Sequence, residues 1–328
     1  MRYIIYGAGA VGGTIGARLF QAGVDVVLIA RGEHREKVQE QGLVLTQSGG
    51  SQTLMVDVVG HPREIKFRLD DVVFLTMKSQ HTLTALEDLR AAGGGDLPII
   101  CCQNGVENER LAARRFSRVY AMVVVLPASH LEPGIVQHEA IGCGGILDVG
   151  CYPVGIDAFL GTVTEDLELA GFSARPDEKA MRWKYAKLLN NLINAIQAVT
   201  VTSDRTRVIY KLMYKEALRC LDAAGIEYAT QKEFSARVGK LLKLDPTMAR
   251  GGGSSWQSLT RGTGNIEADY LNGEIVLLGK LHGVATPANQ CLLELANQLA
   301  ASGAEPGSIP VDQVEARIGE LEQAGNEG

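Results

Sequence analysis

At 328 residues, 46% apolar and 21% charged, the chain has the composition of a globular protein long enough to build two cores. The net charge is −6 with no long block of like charges, and aromatics are only 5%, so neither a polyanion nor stacked single-stranded nucleic acid is an expected partner. No apolar run approaches the length of a membrane span.

The chain opens Met1-Arg2-Tyr3 and passes directly into a strand, which leaves no room for a secretory signal and sets the expectation of a cytoplasmic protein. Tyr3-Ile4-Ile5-Tyr6 is that strand. Gly7-Ala8-Gly9-Ala10-Val11-Gly12-Gly13 follows, a helical stretch runs to about Gln21, and Val24 to Ile29 reads as a second strand. A G-x-G-x-x-G between strand and helix is the setting in which this motif binds a dinucleotide. Gly7 allows the tight turn, Gly9 lets backbone approach a pyrophosphate, and Gly12 lets helix and strand pack closely. The unpaired N–H groups at the helix start, around Ala10, Val11 and Gly12, supply the anion site.

The second strand ends at Ala30-Arg31, and the first acid after it is Glu33, in the next predicted helix. An NAD site usually carries Asp or Glu at that strand end, to bond the ribose 2′-hydroxyl, whereas an Arg nearby suits a 2′-phosphate. Guanidinium binds phosphate in a bidentate fork, so Arg31 points to NADP.

Residues 33–60 read as a helix and then short strands around Leu43-Val44-Leu45 and Leu54 to Val59, crossing the glycines at 49 and 50. Asp71 to Lys78 holds a near-continuous apolar run, the pattern of a strand covered on both faces. A helix from about His81 to Ala91, a strand to Cys101, Gln103-Asn104-Gly105, a helix to about Arg114 and a strand from Val119 to Leu126 continue the alternation. It predicts an α/β fold, a Rossmann-type doubly wound parallel sheet with right-handed crossovers. Ligands on such sheets lie outside the carboxyl ends of the strands, where Gly9, Arg31, Lys78 and Asn104 would converge. Lys78 can face the cofactor phosphates, though a surface lysine is the simpler account of it, and His81 is a minor candidate beside it. Around Glu132-Pro133-Gly134, residues 131–152 suggest an added antiparallel hairpin.

A helix from about Gly155 to Ala170 leads to Gly171–Pro176, read as a hinge across which two halves close on bound ligands. From Asp177 onward only helices are predicted: Glu178–Val199, Asp204–Ala224, Thr230–Leu242, Asn265–His282, Pro287–Ala301 and Val311–Gln323, with a frayed tail. The expected domains are residues 1–176, which bind NADP, and an all-α domain of residues 177–328, which binds substrate. The six cysteines show neither C-x-x-C nor a histidine at metal-ligand spacing, so buried free thiols and no metal are expected.

On the helix Glu178–Val199, Lys187, Asn190, Asn191 and Asn194 share an arc of roughly 100°. A solvated face would more cheaply use Glu, Gln or Arg, since Asn is a mediocre helix former. The face therefore reads as a cleft wall, where short amides hold a ligand or aim an ammonium. Ser254 and Ser255, after Gly251-Gly252-Gly253, are suited to a substrate carboxylate or to a helix cap. Beyond Gly262-Thr263-Gly264-Asn265, Glu267 lies on the apolar stripe of Leu271, Ile275 and Leu278. Its carboxylate either turns inward to a partner or serves as a first-turn acid.

These motifs together resemble the ketopantoate reductase family: Gly7 to Gly13, Arg31, Lys78 with Thr82, Gln103-Asn104-Gly105, Trp183 to Asn194, and Ser254 to Gly273, in order along nearly the whole chain. The resemblance implies NADPH-dependent reduction of 2-dehydropantoate to pantoate on the route to pantothenate. It also implies that Arg31 and Lys78 bind the 2′-phosphate side of NADP and that Asn104 sits near nicotinamide and substrate. Lys187 would be the general acid, Asn191 and Asn194 would assist substrate binding, and Ser255 and Glu267 would contact substrate. The family spacing from Trp183 falls on Tyr185, with lysines on either side at 184 and 187. Lys187 is preferred because Asn191 lies at i+4 from it, whereas the same step from Lys184 lands on apolar Leu188; Lys184 is then a flanking charge.

The first alternative is a sibling reductase acting on another 2-oxo acid or an imine, and a non-catalytic NADP-binding sensor is the rival of a different class. A sensor needs neither Lys187 with its amide face nor an inward Glu267. The expected partners are a small 2-oxo acid and, at most, a second copy of the chain in a homodimer.

Overall fold

The computed structural model describes residues 1–239, 241–248, 253–260, 262, 264 and 266–326. The expected roles of Gly251, Gly252, Thr263 and Asn265 lie outside the described residues. Two compact units form: Met1–Lys184 with Ala229–Arg250, and Tyr185–Tyr228 with Gly251–Gly328. The chain thus divides at 184 rather than 176, and residues 229–250, expected in the all-α domain, belong to the first unit.

The first strands are β1 (Arg2–Tyr6), β2 (Asp25–Ile29), β3 (Leu43–Gln47), β4 (Gly50–Leu54), β5 (Asp57–Val59) and β6 (Asp71–Leu75). They are followed by β7 (Ile99–Cys101), β8 (Val119–Val125), β9 (Ala128–Ser129), β10 (Ile135–His138), β11 (Ala140–Gly142), β12 (Ile146–Cys151) and β13 (Leu242–Leu244). The main sheet runs β12-β8-β7-β6-β1-β2-β5. All its neighbours are parallel except β12, which pairs antiparallel with β8. Strand order reverses at β1, with β2 on one side and β6 on the other, so a crevice opens there at the carboxyl ends.

Helices α1 (Ala10–Gln21), α2 (Gly32–Gln41), α3 (Thr82–Ala91), α4 (Asn108–Ala113) and α5 (Ala158–Leu169) connect these strands. Side chains alternate across the sheet. Tyr3 and Ile5 enter a core with Ile15 and Leu19 of α1 and Leu160 and Val163 of α5. Ile4 and Tyr6 enter the opposite core with Leu86 and Leu89 of α3 and Ala112 of α4. With both faces covered, a strand has no polar side to show, hence the continuous apolar runs of β1 and β6.

Of residues 131–152, expected to add one antiparallel hairpin, the turn at residues 132–134 does lie between antiparallel β9 and β10, but the two longer strands divide between sheets. β10 joins a second sheet, β4-β3-β10-β9, pairing parallel with β3, while β12 becomes the edge of the main sheet. After α6 (Ala180–Asn191), α7 (Ile193–Val199) and α8 (Asp204–Ala223) comes α9 (Gln231–Val238), and β13 then pairs with β11. A strand therefore occurs where only helix was predicted. Two ion pairs fix this returning segment within its unit, the first bidentate and the second made by one guanidinium nitrogen to both carboxylate oxygens. Arg237 bonds Asp148 at 2.6 and 2.8 Å, and Arg182 bonds Glu233 at 2.7 and 2.8 Å.

In the second unit all named elements among the described residues are helical, with α10 (Ser254–Thr260), α11 (Asn272–His282), α12 (Pro287–Ser302) and α13 (Val311–Asn326) completing it. Buried Glu216 of α8 accepts from the N–H groups of Ala288 and Asn289 at 2.9 and 3.0 Å, satisfying donors that the start of α12 cannot pair itself. The predicted helix Glu178–Val199 breaks at Leu192. Asn190 Nδ2 donates back to the Ala186 carbonyl at 3.1 Å, the local competition that weakens helices at asparagine. Among the described residues no helix is long and apolar enough to cross a membrane.

Candidate active site

In the first unit the glycine turn joins β1 to α1. Gly7 has φ +108°, and a Cβ there would lie 2.6 Å from the Met77 amide. A Cβ on Gly12 would meet the Gly7 carbonyl and Thr76 Oγ1, each at 2.3 Å. Both glycines are therefore demanded by packing. Gly9 is different: its φ is −74° and a Cβ would find no atom of the described residues within 4 Å. Only something approaching from outside calls for a glycine there. Gly9 caps α1 without a side-chain bond, and the first amides, at Ala10, Val11 and Gly12, have no intrahelical acceptor by helix geometry.

The turn is braced from below by two side chains. Thr76 Oγ1 donates to the Gly7 carbonyl at 2.9 Å. His34 accepts from the Gly134 amide at Nδ1 (2.8 Å), so its proton sits on Nε2, which donates to the Ala8 carbonyl at 2.8 Å. Burial lowers the His34 pKa and keeps the ring neutral. Sequence reading passed over His34, since nothing local marks a helical histidine as a brace for a turn 26 residues earlier.

Arg31 is exposed at the head of α2, just past β2, beside the Tyr6 hydroxyl. Lys78, half-buried, precedes a short 3-10 turn, Ser79–His81, just past β6; His81 is exposed. Asn104 follows β7 and is partly exposed. Gly7 to Gly12, Arg31, Lys78 and Asn104 thus share the carboxyl edge of one parallel sheet.

The turn at Asn104 is held by a buried network. Asn108 Nδ2 and Ser79 Oγ donate to the Asn104 carbonyl at 3.0 and 3.3 Å. Gln103 Nε2 donates to the Met77 carbonyl and to Thr82 Oγ1, both at 2.8 Å. Lys184, taken from sequence as a flanking charge, is buried: it pairs with Glu109 and donates to the carbonyls of Cys101 and Gln103 at 3.3 and 3.0 Å. Its three hydrogens are thereby used. Burial pushes the Glu109 carboxyl up, against the downward pull of Lys184. The one sequence cue was an acid five places after Asn104.

In the second unit, half-buried Lys187 donates to Asn191 Oδ1 at 3.1 Å, and burial brings its pKa down to about 8. Asn191 is buried; Asn194 lies so close to Gly253 that a Cβ there would sit 2.9 Å from Asn194 Oδ1. Gly253 leads into α10, which packs on α7 and carries buried Ser255. Glu267 is buried at the head of a 3-10 turn, Ala268–Tyr270, before α11, rather than opening a continuous α-helix.

Two family profiles match: "Ketopantoate reductase PanE/ApbA" over residues 3–153 and "Ketopantoate reductase PanE/ApbA C terminal" over residues 179–300. The 2-dehydropantoate 2-reductase of Pyrococcus horikoshii is 28% identical over 299 residues, covering 90% of this chain and 96% of its own. That of Mesorhizobium japonicum is 29% identical over 335 residues, covering 92% and 98%. Among solved structures, a PanE/ApbA family ketopantoate reductase from Ralstonia eutropha aligns with TM-score 0.78 and 26% identity over 92% of this chain and 99% of its own. D-mandelate dehydrogenase in a ternary complex with NADH and anilino(oxo)acetate shares the fold, with TM-score 0.76 and 22% identity over 98% and 100%. With both of its parts matched by that family's profiles, the chain belongs to the ketopantoate reductases, a family of oxidoreductases.

Proposed function

We propose that the protein reduces 2-dehydropantoate to pantoate with NADPH, a cytoplasmic step toward pantothenate, with Lys187 as the general acid. The observation that carries this reading is the state of Lys187. It is half-buried, bonded to Asn191, and its pKa is lowered by burial to about 8.

The residues of the first unit fit a dinucleotide. Space is left open at Gly9 where Gly7 and Gly12 are closely packed, and the start of α1 has no side-chain cap. Gly7, Gly9, Ala10, Val11 and Gly12 would hold the pyrophosphate. Arg31 and Lys78 would take the 2′-phosphate, which favours NADPH over NADH. Asn104 would serve the nicotinamide and the reacting carbonyl.

When bound, the reduced nicotinamide supplies the hydride that the ketone carbon gains. The ketone oxygen takes its proton from the Lys187 ammonium, and the amine left behind regains one from water. An ammonium of pKa near 8 is mostly charged at neutral pH yet gives up its proton readily. Asn191 aims it, while Asn194, Ser255 and Glu267 contact the 2-oxo acid.

The test is NADPH and NADH oxidation by the purified protein with ketopantoate, beside a panel of other 2-oxo acids and imines. Ketopantoate with NADPH should give the highest kcat/KM. A better substrate elsewhere in the panel overturns the substrate assignment, and no turnover with any member overturns the enzymatic reading in favour of a cofactor sensor.

A further inference from the structure

The turn that carries Asn104 is gripped from two sides by side chains of its own unit, among them Ser79, Thr82, Asn108, Glu109 and Lys184, each at most 3% exposed. The neutral grip runs through Gln103, Thr82 and Asn108, where Thr82 Oγ1 donates to Asn108 Oδ1 at 2.7 Å, and ends on the Asn104 carbonyl. The charged grip is Lys184. One of its hydrogens meets Glu109, and the others reach the carbonyls of Cys101, the last residue of β7, and Gln103, two residues beyond it.

Stability does not account for the charged grip. Two desolvated charges are commonly no more stabilising than a pair of apolar side chains filling the same volume. An apolar pair, however, has no donors for the carbonyls on the near side of Asn104. Glu109 Oε2 has no partner among the described residues, so this carboxylate is there chiefly for the ammonium. The ammonium cannot double as a general acid, because its hydrogens are committed.

We propose that Lys184 and Glu109 are positioning residues for the reduction: Lys184 fixes the Cys101–Gln103 main chain so that Asn104 is presented in one orientation, and Glu109 keeps Lys184 in place. This rests on the reading that Asn104 serves the nicotinamide and the reacting carbonyl. The pair acts through Asn104.

Three variants separate positioning from bulk stability. Glu109→Gln keeps an acceptor for Lys184 and should lower Tm while leaving kcat within about threefold, since the donors to the turn remain. Lys184→Met/Glu109→Leu removes both charges and should keep Tm near the wild-type value. In that variant amide exchange across residues 99–107 should quicken by about tenfold or more, and kcat should fall by about ten- to a hundredfold, with NADPH affinity by fluorescence titration unchanged. Should that pair not fold, Lys184→Leu/Glu109→Met takes its place as a second uncharged pair without donors, with the same expectation. A kcat that simply follows Tm across the variants, or unchanged exchange at the turn in the uncharged pair, overturns the proposal. Asn104→Ala is the third variant. If it turns over like wild type while the exchange results hold, the assignment of Asn104 has failed and the grip on the turn has not. Turnover is measured with whichever 2-oxo acid the wild type prefers, and exchange and Tm require no substrate.

Discussion

Lys187 Nζ donates to Asn191 Oδ1 at 3.1 Å across one turn of α6, and burial alone accounts for the lowering of its pKa. A lysine in that condition is held in direction by a neutral amide, and no carboxylate of the described residues locks it. Lys184, one turn earlier on the same helix, is the reverse case, buried against Glu109.

Lys187→Ala should therefore lower kcat by at least about a hundredfold, the scale of a lost general acid. NADPH affinity, read by fluorescence titration, should barely change. Wild-type turnover in this variant would remove Lys187 from the chemistry.

The pH dependence follows from the same residue. Raising the pH strips the proton that Lys187 must give, so kcat/KM for reduction should be level near neutrality and decline above about 8. The stability effect runs the other way. The folded pKa lies below the usual 10.5, so between about 8 and 10.5 the unfolded chain holds more protons, and the contribution of Lys187 to stability rises with pH through that window. Thermal unfolding of wild type and Lys187→Met across that range checks the sign: the variant should lose this rise.

Cofactor preference should reside in Arg31. The wild type is expected to favour NADPH over NADH by kcat/KM, and Arg31→Ala should lose about ten- to a hundredfold of that ratio, the worth of a charge-assisted phosphate contact. Equal efficiency with both cofactors in the wild type would sink the assignment.

Gly9 and Gly12 should fail in different ways. A methyl at Gly12 meets backbone and Thr76 at 2.3 Å, so Gly12→Ala should destabilise the ligand-free protein by about 1–3 kcal/mol as well as weaken NADPH binding. A methyl at Gly9 meets nothing among the described residues, so Gly9→Ala should keep the wild-type Tm and lose cofactor affinity. Calorimetry beside fluorescence titration distinguishes them, and a Gly9→Ala variant that binds NADPH like wild type would count against a dinucleotide at this turn.

Much of the first unit could be read from the chain because its signals are local. The strand, glycine turn and helix of residues 2–21 lie within a few turns of one another, and the apolar run of β6 needs only its own residues to announce a strand buried on both faces. The same holds for Lys187 and Asn191, whose contact is set by helical spacing.

What local pattern could not decide was every feature that depends on residues far apart. Whether the strands of residues 131–152 stay together or supply two sheets depends on the open edges of β3 and β8, which β10 and β12 fill. The return of α9 and β13 to the first unit rests on Arg237 meeting Asp148, 89 positions away. Lys184 looked like a flanking charge because its partner Glu109 lies 75 positions earlier, on another helix. Periodicity tells which face of a helix is polar, whereas the charge that must be buried and the partner that neutralises it are settled only when tertiary packing brings the two together.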